Sequence, residues 1–345
     1  GPGARRTHVD VVNLDTSMAS SHGSAVVSLL EPPLPSQIQL EPTTVCNLDC
    51  IMCPINSLQR DKNMMTLDEF KDLVGRFPKL ERITMHGIGE PLMNRDFFQM
   101  VEHAKSKGIR VYFNNNMTYM TEANARNLLS LEVDEIRTSL DTPYKDEYAR
   151  IRPARNQRTN FFDEVVENVR TLVRVRNELG SKTKIKLVGV CMDETIRQMP
   201  DLTRLGVELG VDEIMIQNMQ LWSGKDEFRE DREGKVVADQ VMSEVYEECR
   251  DIATGKVPLK MWHPGVSHGC NWAETSCYVT VDGYVTPCCN CPDPKVKNFG
   301  NLNEKSLEEI WYGEDYKEFR RQLASPDIPE ICDGCVIYGG RFKEY

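Results

Sequence analysis

Three cysteines within eight residues, Cys46, Cys50 and Cys53, form a C-x3-C-x2-C array just after the apolar run Ile38-Gln-Leu40. Thiolate is the soft ligand that iron–sulfur clusters use, and three thiolates on a loop leaving a strand fill three corners of a cubane. One iron then lacks a protein ligand, so a substrate or cosubstrate can bind there and accept an electron. A zinc knuckle is the competing structural reading, but zinc sites usually pair their ligands as C-x2-C with a fourth Cys or His nearby. A second set lies near the end of the chain: Cys270, Cys277, Cys288, Cys289 and Cys291, then Cys332-Asp-Gly-Cys335. Within it, Asp282-Gly283 separates the alternating segments Tyr278 to Val281 and Tyr284 to Thr286, a hairpin signal that carries Cys288 back beside Cys270.

The elements that must position these groups follow a regular alternation. Strand-like segments run from Ile38 to Glu41, Arg82 to His86, Arg110 to Asn114, Glu135 to Leu140, Lys184 to Cys191 and Glu213 to Gln217. Amphipathic helices separate them, beginning near Thr66 with the capping box Thr66-Leu-Asp-Glu69, and near Asn94, Thr121, Asn160 and Glu194. Six such repeats read as βαβ units of an α/β fold with a parallel sheet, either a partial barrel or an open doubly wound sheet. In both, chemistry belongs at the C-terminal ends of the strands. Beyond Gln220 comes a charged stretch, Ser223 to Lys235, then a helix from about Val237 to Ile252, where Cys249 reads as a packed or exposed thiol.

At 345 residues and 40% hydrophobic content the chain has a sizeable core, and its net charge of −11 disfavours a nucleic-acid partner. No apolar run is long enough to span a membrane, and no secretion signal is evident. The expectation is a cytoplasmic protein, in which twelve cysteines argue for metal ligation or redox chemistry over disulfides. Gly1-Pro-Gly3 reads as a cleaved tag remnant on a flexible segment, 1–36. The expected division continues with a barrel over 37–222, a charged linker and helix over 223–262, and a small cysteine domain over 263–345.

The cysteine spacing resembles the signature of the radical S-adenosylmethionine (SAM) superfamily, and the strand pattern is similar to its partial (β/α)6 TIM-type barrel. The resemblance implies a [4Fe-4S] cluster on Cys46, Cys50 and Cys53, with SAM on its open iron. Met52 stands where relatives often carry an aromatic residue, and its polarizable thioether can pack on an adenine ring. Gly87-Ile-Gly89-Glu90-Pro91 resembles the family's GGEP motif, with Glu90 offered to SAM's ammonium and the glycines allowing close backbone approach to a ligand. Asn116 in Asn114-Asn-Asn-Met117 aligns with the Asn of a Thr-Asn-Gly sequence in which Met117 replaces the glycine. Ser139 resembles a ribose or carboxylate contact and Arg152 a carboxylate contact, while Asp141 is expected to face either SAM or substrate.

The C-terminal cysteines resemble SPASM/Twitch auxiliary-cluster domains, with Gly283 and Cys288 matching their Gly-x4-Cys element. The shorter, one-cluster Twitch form implies Cys270, Cys288, Cys332 and Cys335 as ligands of one auxiliary [4Fe-4S] cluster. Cys277 competes with Cys270 and Cys289 with Cys288, and a zinc ribbon is the alternative use of the same residues. A flavodoxin or ferredoxin type electron donor is implied as well. The Twitch-like end resembles aminocyclitol dehydrogenases and sugar epimerases, so the expected reaction is hydrogen abstraction from a carbinol carbon of a small polyhydroxylated substrate, leading to dehydrogenation. Alternatives are epimerisation with a hydrogen donor among the spare thiols Cys191, Cys249, Cys277, Cys289 and Cys291, of which Cys191 at the end of the fifth strand is the best placed, peptide or protein modification, and a non-enzymatic Fe–S or zinc scaffold.

Overall fold

Alternate strand positions divide the sequence into an apolar and a polar set, and the computed structural model puts the two sets on opposite faces of one sheet. It describes residues 29–58, 60–222, 233–264, 270–332, 335 and 340–344. The tag remnant, most of segment 1–36, residues 223–232 of the charged stretch, residues 265–269, and Asp333 and Gly334 of the terminal C-x-x-C lie outside the described residues.

β1 (Gln37–Leu40), β2 (Arg82–Met85), β3 (Arg110–Asn115), β4 (Glu135–Ser139), β5 (Lys184–Cys191) and β6 (Glu213–Asn218) pair in parallel, each with the next. Leu40, Ile83, Val111, Phe113, Ile136, Leu187 and Ile216 share one apolar core with Phe70, Met100, Leu128, Val169 and Leu202 of the covering helices. The other face lines the barrel interior and is polar. There Glu135 bonds Arg137 (2.6 Å) and Lys186 (2.9 Å), and Lys186 bonds Glu213 (3.0 Å), so each of these partly buried charges faces one of opposite sign.

Local chemistry sets the helix ends. Thr66 accepts from Glu69 N and its own N–H donates to the Glu69 carboxylate, opening helix Leu67–Gly75. Helices Phe162–Leu179 and Met199–Leu209 stop at Gly180 and Gly210, both in left-handed backbone conformation. A short helix, Lys145–Ile151, precedes the long helix of the crossover from β4 to β5 and has no strong signal in the sequence.

The barrel extends past the expected boundary near 222. Helix Asp239–Ala253 returns the chain to β7 (Leu259–Pro264), which pairs in parallel with β6, so the segment expected as linker completes another βαβ unit. The C-terminal hairpin is also continuous with the barrel. β8 (Ser276–Val279) pairs in parallel with β1, β9 (Tyr284–Thr286) turns back against β8, and β10 (Gly300–Asn301) and β11 (Gly340–Glu344) close the two edges. The described strands form a single sheet in the order β10-β9-β8-β1-β2-β3-β4-β5-β6-β7-β11. Gly283 makes the hairpin turn at φ 88°, where a Cβ would also strike Asn303 Nδ2 at 2.7 Å. Arg320 lies between Trp311 and Tyr316, 4.3 Å from each ring, and Trp311 Nε1 donates to the carbonyls of Pro32 and Pro33, docking the proline-rich lead-in. Among the described residues no helix is long and apolar enough to cross a membrane.

Candidate functional site

The cysteine loop leaves β1 at Glu41 and is held at the C-terminal ends of the strands by bonds that do not involve the thiols. Thr43 and Thr44 hydroxyls donate to the carbonyls of Asn63 (2.9 Å) and Asp61 (2.8 Å). Ile51 N donates to Ile151 O at 3.0 Å, Asp49 N to Pro153 O at 2.8 Å, and Arg155 Nε to Cys46 O at 2.9 Å. Trp222 Nε1 donates to Met52 O at 3.0 Å, and Met52 packs with Ile151, Met192, Met219 and Leu221 in an apolar patch beside Cys50 and Val190.

Each of the three cysteines is a half-buried residue. Leu48 N donates to Cys46 Sγ at 3.5 Å, Asn116 Nδ2 approaches it at 3.9 Å, and Arg152 Nη1 lies 3.8 Å from Cys50 Sγ. Burial pushes the Cys46 and Cys53 thiols up to about 12 and raises Cys50, and the Cys50 and Cys46 charges add to the rise at Cys53. Three such groups become thiolates together only against a strong local positive charge, which iron supplies. With N–H donors already aimed at two of them, the donor set fits an iron–sulfur cluster. Among the described residues no group of three or more His, Cys, Asp or Glu side chains forms a metal-ion site by geometry.

The loop after β2 packs directly on this one. A Cβ on Gly87 would meet Glu41 Cγ at 2.4 Å and one on Gly89 would meet Thr43 O at 2.4 Å, so the close approach these glycines permit is to the cysteine loop itself. Glu90 caps the turn Pro91–Met93: Oε1 accepts from Leu92 N (3.1 Å) and Oε2 from Asn116 N (2.7 Å). Burial raises the Glu90 carboxyl to about 7, against the pull of those two donors and of Arg152. Asn116 in turn donates to Asn47 Oδ1 at 2.8 Å and accepts from Thr118, fastening the loop after β3 to the cysteine loop. Met117 takes φ 66° although it is not glycine, and is fully buried.

Ser139 ends β4 on the interior face and is half-buried. Asp141 has no exposed surface: Oδ2 pairs with Arg152 Nε at 2.5 Å and Oδ1 accepts from Val190 N at 2.8 Å. Both of its oxygens are thus engaged, one by Arg152 and one by the backbone of β5. Burial opposes the Arg152 charge, but Asp141 and Cys50 outweigh it and the net shift is upward. Tyr148, on the unpredicted short helix, has a buried hydroxyl without a hydrogen-bond partner; burial raises its pKa, Arg152 opposes the rise, and Cys50, Asp141 and Cys46 add to it. No sequence signal marked it, since it reads as one apolar position of an amphipathic turn.

Cys191 does not face the barrel interior. It is on the helix side of β5 in the main core, fully buried, with its sulfur 3.4 Å from Gln217 O and 3.5 Å from Met242 Sδ. A substrate radical in the barrel cannot reach it without unpacking the sheet from helix Asp239–Ala253. Cys249 of that helix is likewise buried in the core.

Several of the C-terminal thiols act on one another's ionisation. Burial raises Cys270, Cys288, Cys289 and Cys332, and the Cys335 sulfur adds to the rise at all four. Cys289 feels Cys270 as well, and Asn290 Nδ2 donates to Cys335 Sγ at 3.3 Å. Cys277 points the other way, into the core on the helix side of β8, where Arg320 is the charged group acting on it. Cys277 thus belongs to the apolar core, while Cys288 and Cys289 both feel the charge of Cys335.

Residues 40–205 match the Radical SAM superfamily profile, and residues 270–336 match SPASM, an iron-sulfur cluster-binding domain. The "Tungsten-containing aldehyde ferredoxin oxidoreductase cofactor-modifying protein" of Pyrococcus furiosus is 28% identical, covering 82% of this chain and 82% of its own length. The PqqA peptide cyclase of Rhizobium meliloti is 23% identical over 94% of this chain and 86% of its own. Among solved structures, Streptococcus suis SuiB bound to its precursor peptide SuiA superposes with a TM-score of 0.69 at 15% identity, covering 97% of this chain and 79% of SuiB. The protein anSMEcpe with bound AdoMet gives 0.64 at 17% identity, covering 89% of each chain; at these identities the two structures share the fold. The chain belongs to the radical SAM superfamily, as an enzyme whose barrel binds SAM and a [4Fe-4S] cluster and whose C-terminal SPASM domain binds auxiliary iron–sulfur.

Proposed function

We propose that this enzyme modifies a peptide, abstracting a hydrogen atom from a residue received by the barrel. The observation that carries the reading is the alignment of PqqA peptide cyclases from Rhizobium, Bradyrhizobium and Xanthomonas along 94%, 89% and 91% of this chain, through both the barrel and the auxiliary domain. It favours the peptide alternative over the sugar or aminocyclitol substrate expected from the sequence. The burial of Cys191 in the core weighs against it as the hydrogen donor of an epimerase, and leaves Cys289 and Cys291 as the other spare thiols outside the core of the barrel helices.

In this reading Cys46, Cys50 and Cys53 hold the radical-site cluster, which when bound supplies the electron that cleaves SAM to a 5'-deoxyadenosyl radical. Glu90 takes the ammonium of SAM's methionine while its backbone partners fix its orientation. Arg152, aligned by Asp141, takes the carboxylate in fork geometry. Gly87, Gly89, Pro91 and Asn116 hold the loops that aim these groups, and Ser139 lies on the interior face beside them. Cys270, Cys332 and Cys335, with Cys288 or Cys289, hold one auxiliary cluster, and a flavodoxin or ferredoxin type donor reduces the system.

A source-blind assay tests the substrate class. Cell extract from bacteria grown in heavy water is separated into a peptide fraction and a small-metabolite fraction, and each is incubated with enzyme, SAM and reductant. Deuterium in the 5'-deoxyadenosine that comes from the peptide fraction and disappears after protease treatment is the expected result. Deuterium arising only from the protease-resistant metabolite fraction overturns the peptide reading. It would favour a small molecule, in keeping with the cofactor-modifying Pyrococcus relative.

A further inference from the structure

Glu41 is the residue at which β1 becomes the cysteine loop, and its side chain is completely buried. Its carboxylate is nonetheless crowded with donors from distant parts of the chain. Arg60, at the far end of the cysteine loop, reaches it with both terminal nitrogens, Nη2 at 2.7 Å and Nη1 at 3.0 Å. Ile88 N, in the loop after β2, lies 3.4 Å from Oε2. From the C-terminal hairpin, Tyr278 OH donates at 2.8 Å and Val281 N at 3.2 Å. Arg60 extends the connection, donating to Pro292 O at 3.2 Å just after Cys291 and pairing with Asp282 at 3.5 Å.

This pair has no role in the cofactor chemistry assigned above, and a matched buried pair adds little stability compared with apolar packing of the same shape. What it does add is direction, because a bidentate guanidinium–carboxylate contact tolerates little rotation or slip. Its partners are the three segments whose mutual register an enzyme with two iron–sulfur centres has to control. We propose that the Glu41–Arg60 pair is a positioning joint, locking the cysteine loop and the loop after β2 against the hairpin that carries the auxiliary thiols, and so setting the separation and orientation of the two centres. A misplacement on the order of 1 Å costs as much as about a hundredfold in rate where reacting groups must be aligned.

The proposal rests on the assignment of the two thiol sets to clusters, which iron analysis checks independently, and it does not depend on the identity of the substrate. Glu41→Asp keeps the charge and withdraws it by one methylene. In the reconstituted holoprotein with unchanged iron, the dipolar splitting between the two reduced clusters should change and its distance distribution broaden. Amide exchange over 41–63, 87–90 and 278–292 should accelerate together. Phe299→Leu, a core change within the auxiliary domain, should lower the melting temperature and leave the splitting as it was. If Glu41→Asp fails to retain iron, Tyr278→Phe decides the matter, because it removes a single donor from the joint and should produce the same change at smaller size. An unchanged splitting in whichever of these two variants is loaded, or an equal change in Phe299→Leu, overturns the proposal.

Discussion

The two thiol sets are assembled in opposite ways. Cys46, Cys50 and Cys53 occupy one short loop, whose path is fixed by backbone and hydroxyl bonds to Asn63, Asp61, Ile151 and Pro153. The auxiliary thiols come from the segment before β8, the return of a hairpin and the end of the chain, parts that the pairing of β8 with β1 ties to the barrel. A ligand set local in sequence needs little chain ordering, whereas a set drawn from distant segments exists only after the tertiary core has formed. The first site should therefore fail by losing chemistry, and the second by losing structure.

The largest expected effect separates them on those terms. Cys53→Ala should abolish SAM cleavage and remove the iron of one site while leaving auxiliary iron and the melting temperature nearly unchanged. Cys335→Ala should remove auxiliary iron and lower the melting temperature, with reductive SAM cleavage retained. Iron analysis, calorimetry and 5'-deoxyadenosine formation read all three quantities. Loss of both irons in Cys53→Ala would mean that the sites do not assemble independently.

Next in size is Asp141→Asn, which leaves the buried Arg152 without its anion. Breaking a buried pair costs about 3–5 kcal/mol, and a misaligned Arg152 should weaken SAM binding by about tenfold to a hundredfold, the range of one charged hydrogen bond. Iron content should survive. Equal SAM affinity in the loaded variant would show that Arg152 does not serve SAM.

Glu90 gives a smaller, pH-dependent effect. Its folded pKa of about 7 lies above the ordinary 4.5, so between those values the folded state holds a proton that the unfolded chain has released. Stability from this group is therefore present at low pH and lost as pH rises through about 7. SAM's ammonium would compensate the buried carboxylate, so the rise in melting temperature on adding SAM should be greater at about pH 8 than at about pH 6. Glu90→Gln should flatten that difference, and an unchanged difference would remove Glu90 from the SAM site.

Much of the first region was legible before any coordinates, because its information is local. The cysteine spacing, the capping box at Thr66 and all six parallel strands were read to within a residue or two. What escaped was set by tertiary pairing. β7 lies beyond a charged stretch that looks like a linker, and nothing in Ser276–Val279 announces that it will pair in parallel with β1. Glu41 and Arg60 read as ordinary polar residues flanking a motif, since their meaning comes from Tyr278 and Val281, far along the chain. The turn at Met117 lacks the glycine its family motif carries, and the chain adopts the left-handed backbone there regardless, with the side chain absorbed by the core.

The smallest expected effect concerns the thiol that strand position alone made attractive. Cys191 ends β5, and the C-terminal end of a barrel strand is where a hydrogen donor would be sought. Strand alternation decides otherwise: Val190 faces the apolar patch beside Cys50, so its neighbour Cys191 must face the helices, and the sulfur indeed rests against Met242. Burial raises its pKa further from any thiolate role. Cys191→Ala should then behave as a modest core truncation, costing about 1 kcal/mol, with SAM cleavage, both iron contents and deuterium transfer into 5'-deoxyadenosine intact. If the variant instead keeps SAM cleavage but releases no product, the thiol reaches the substrate through an opening of the sheet from helix Asp239–Ala253. The clean separation between a chemical interior and a structural exterior would then be broken at this strand.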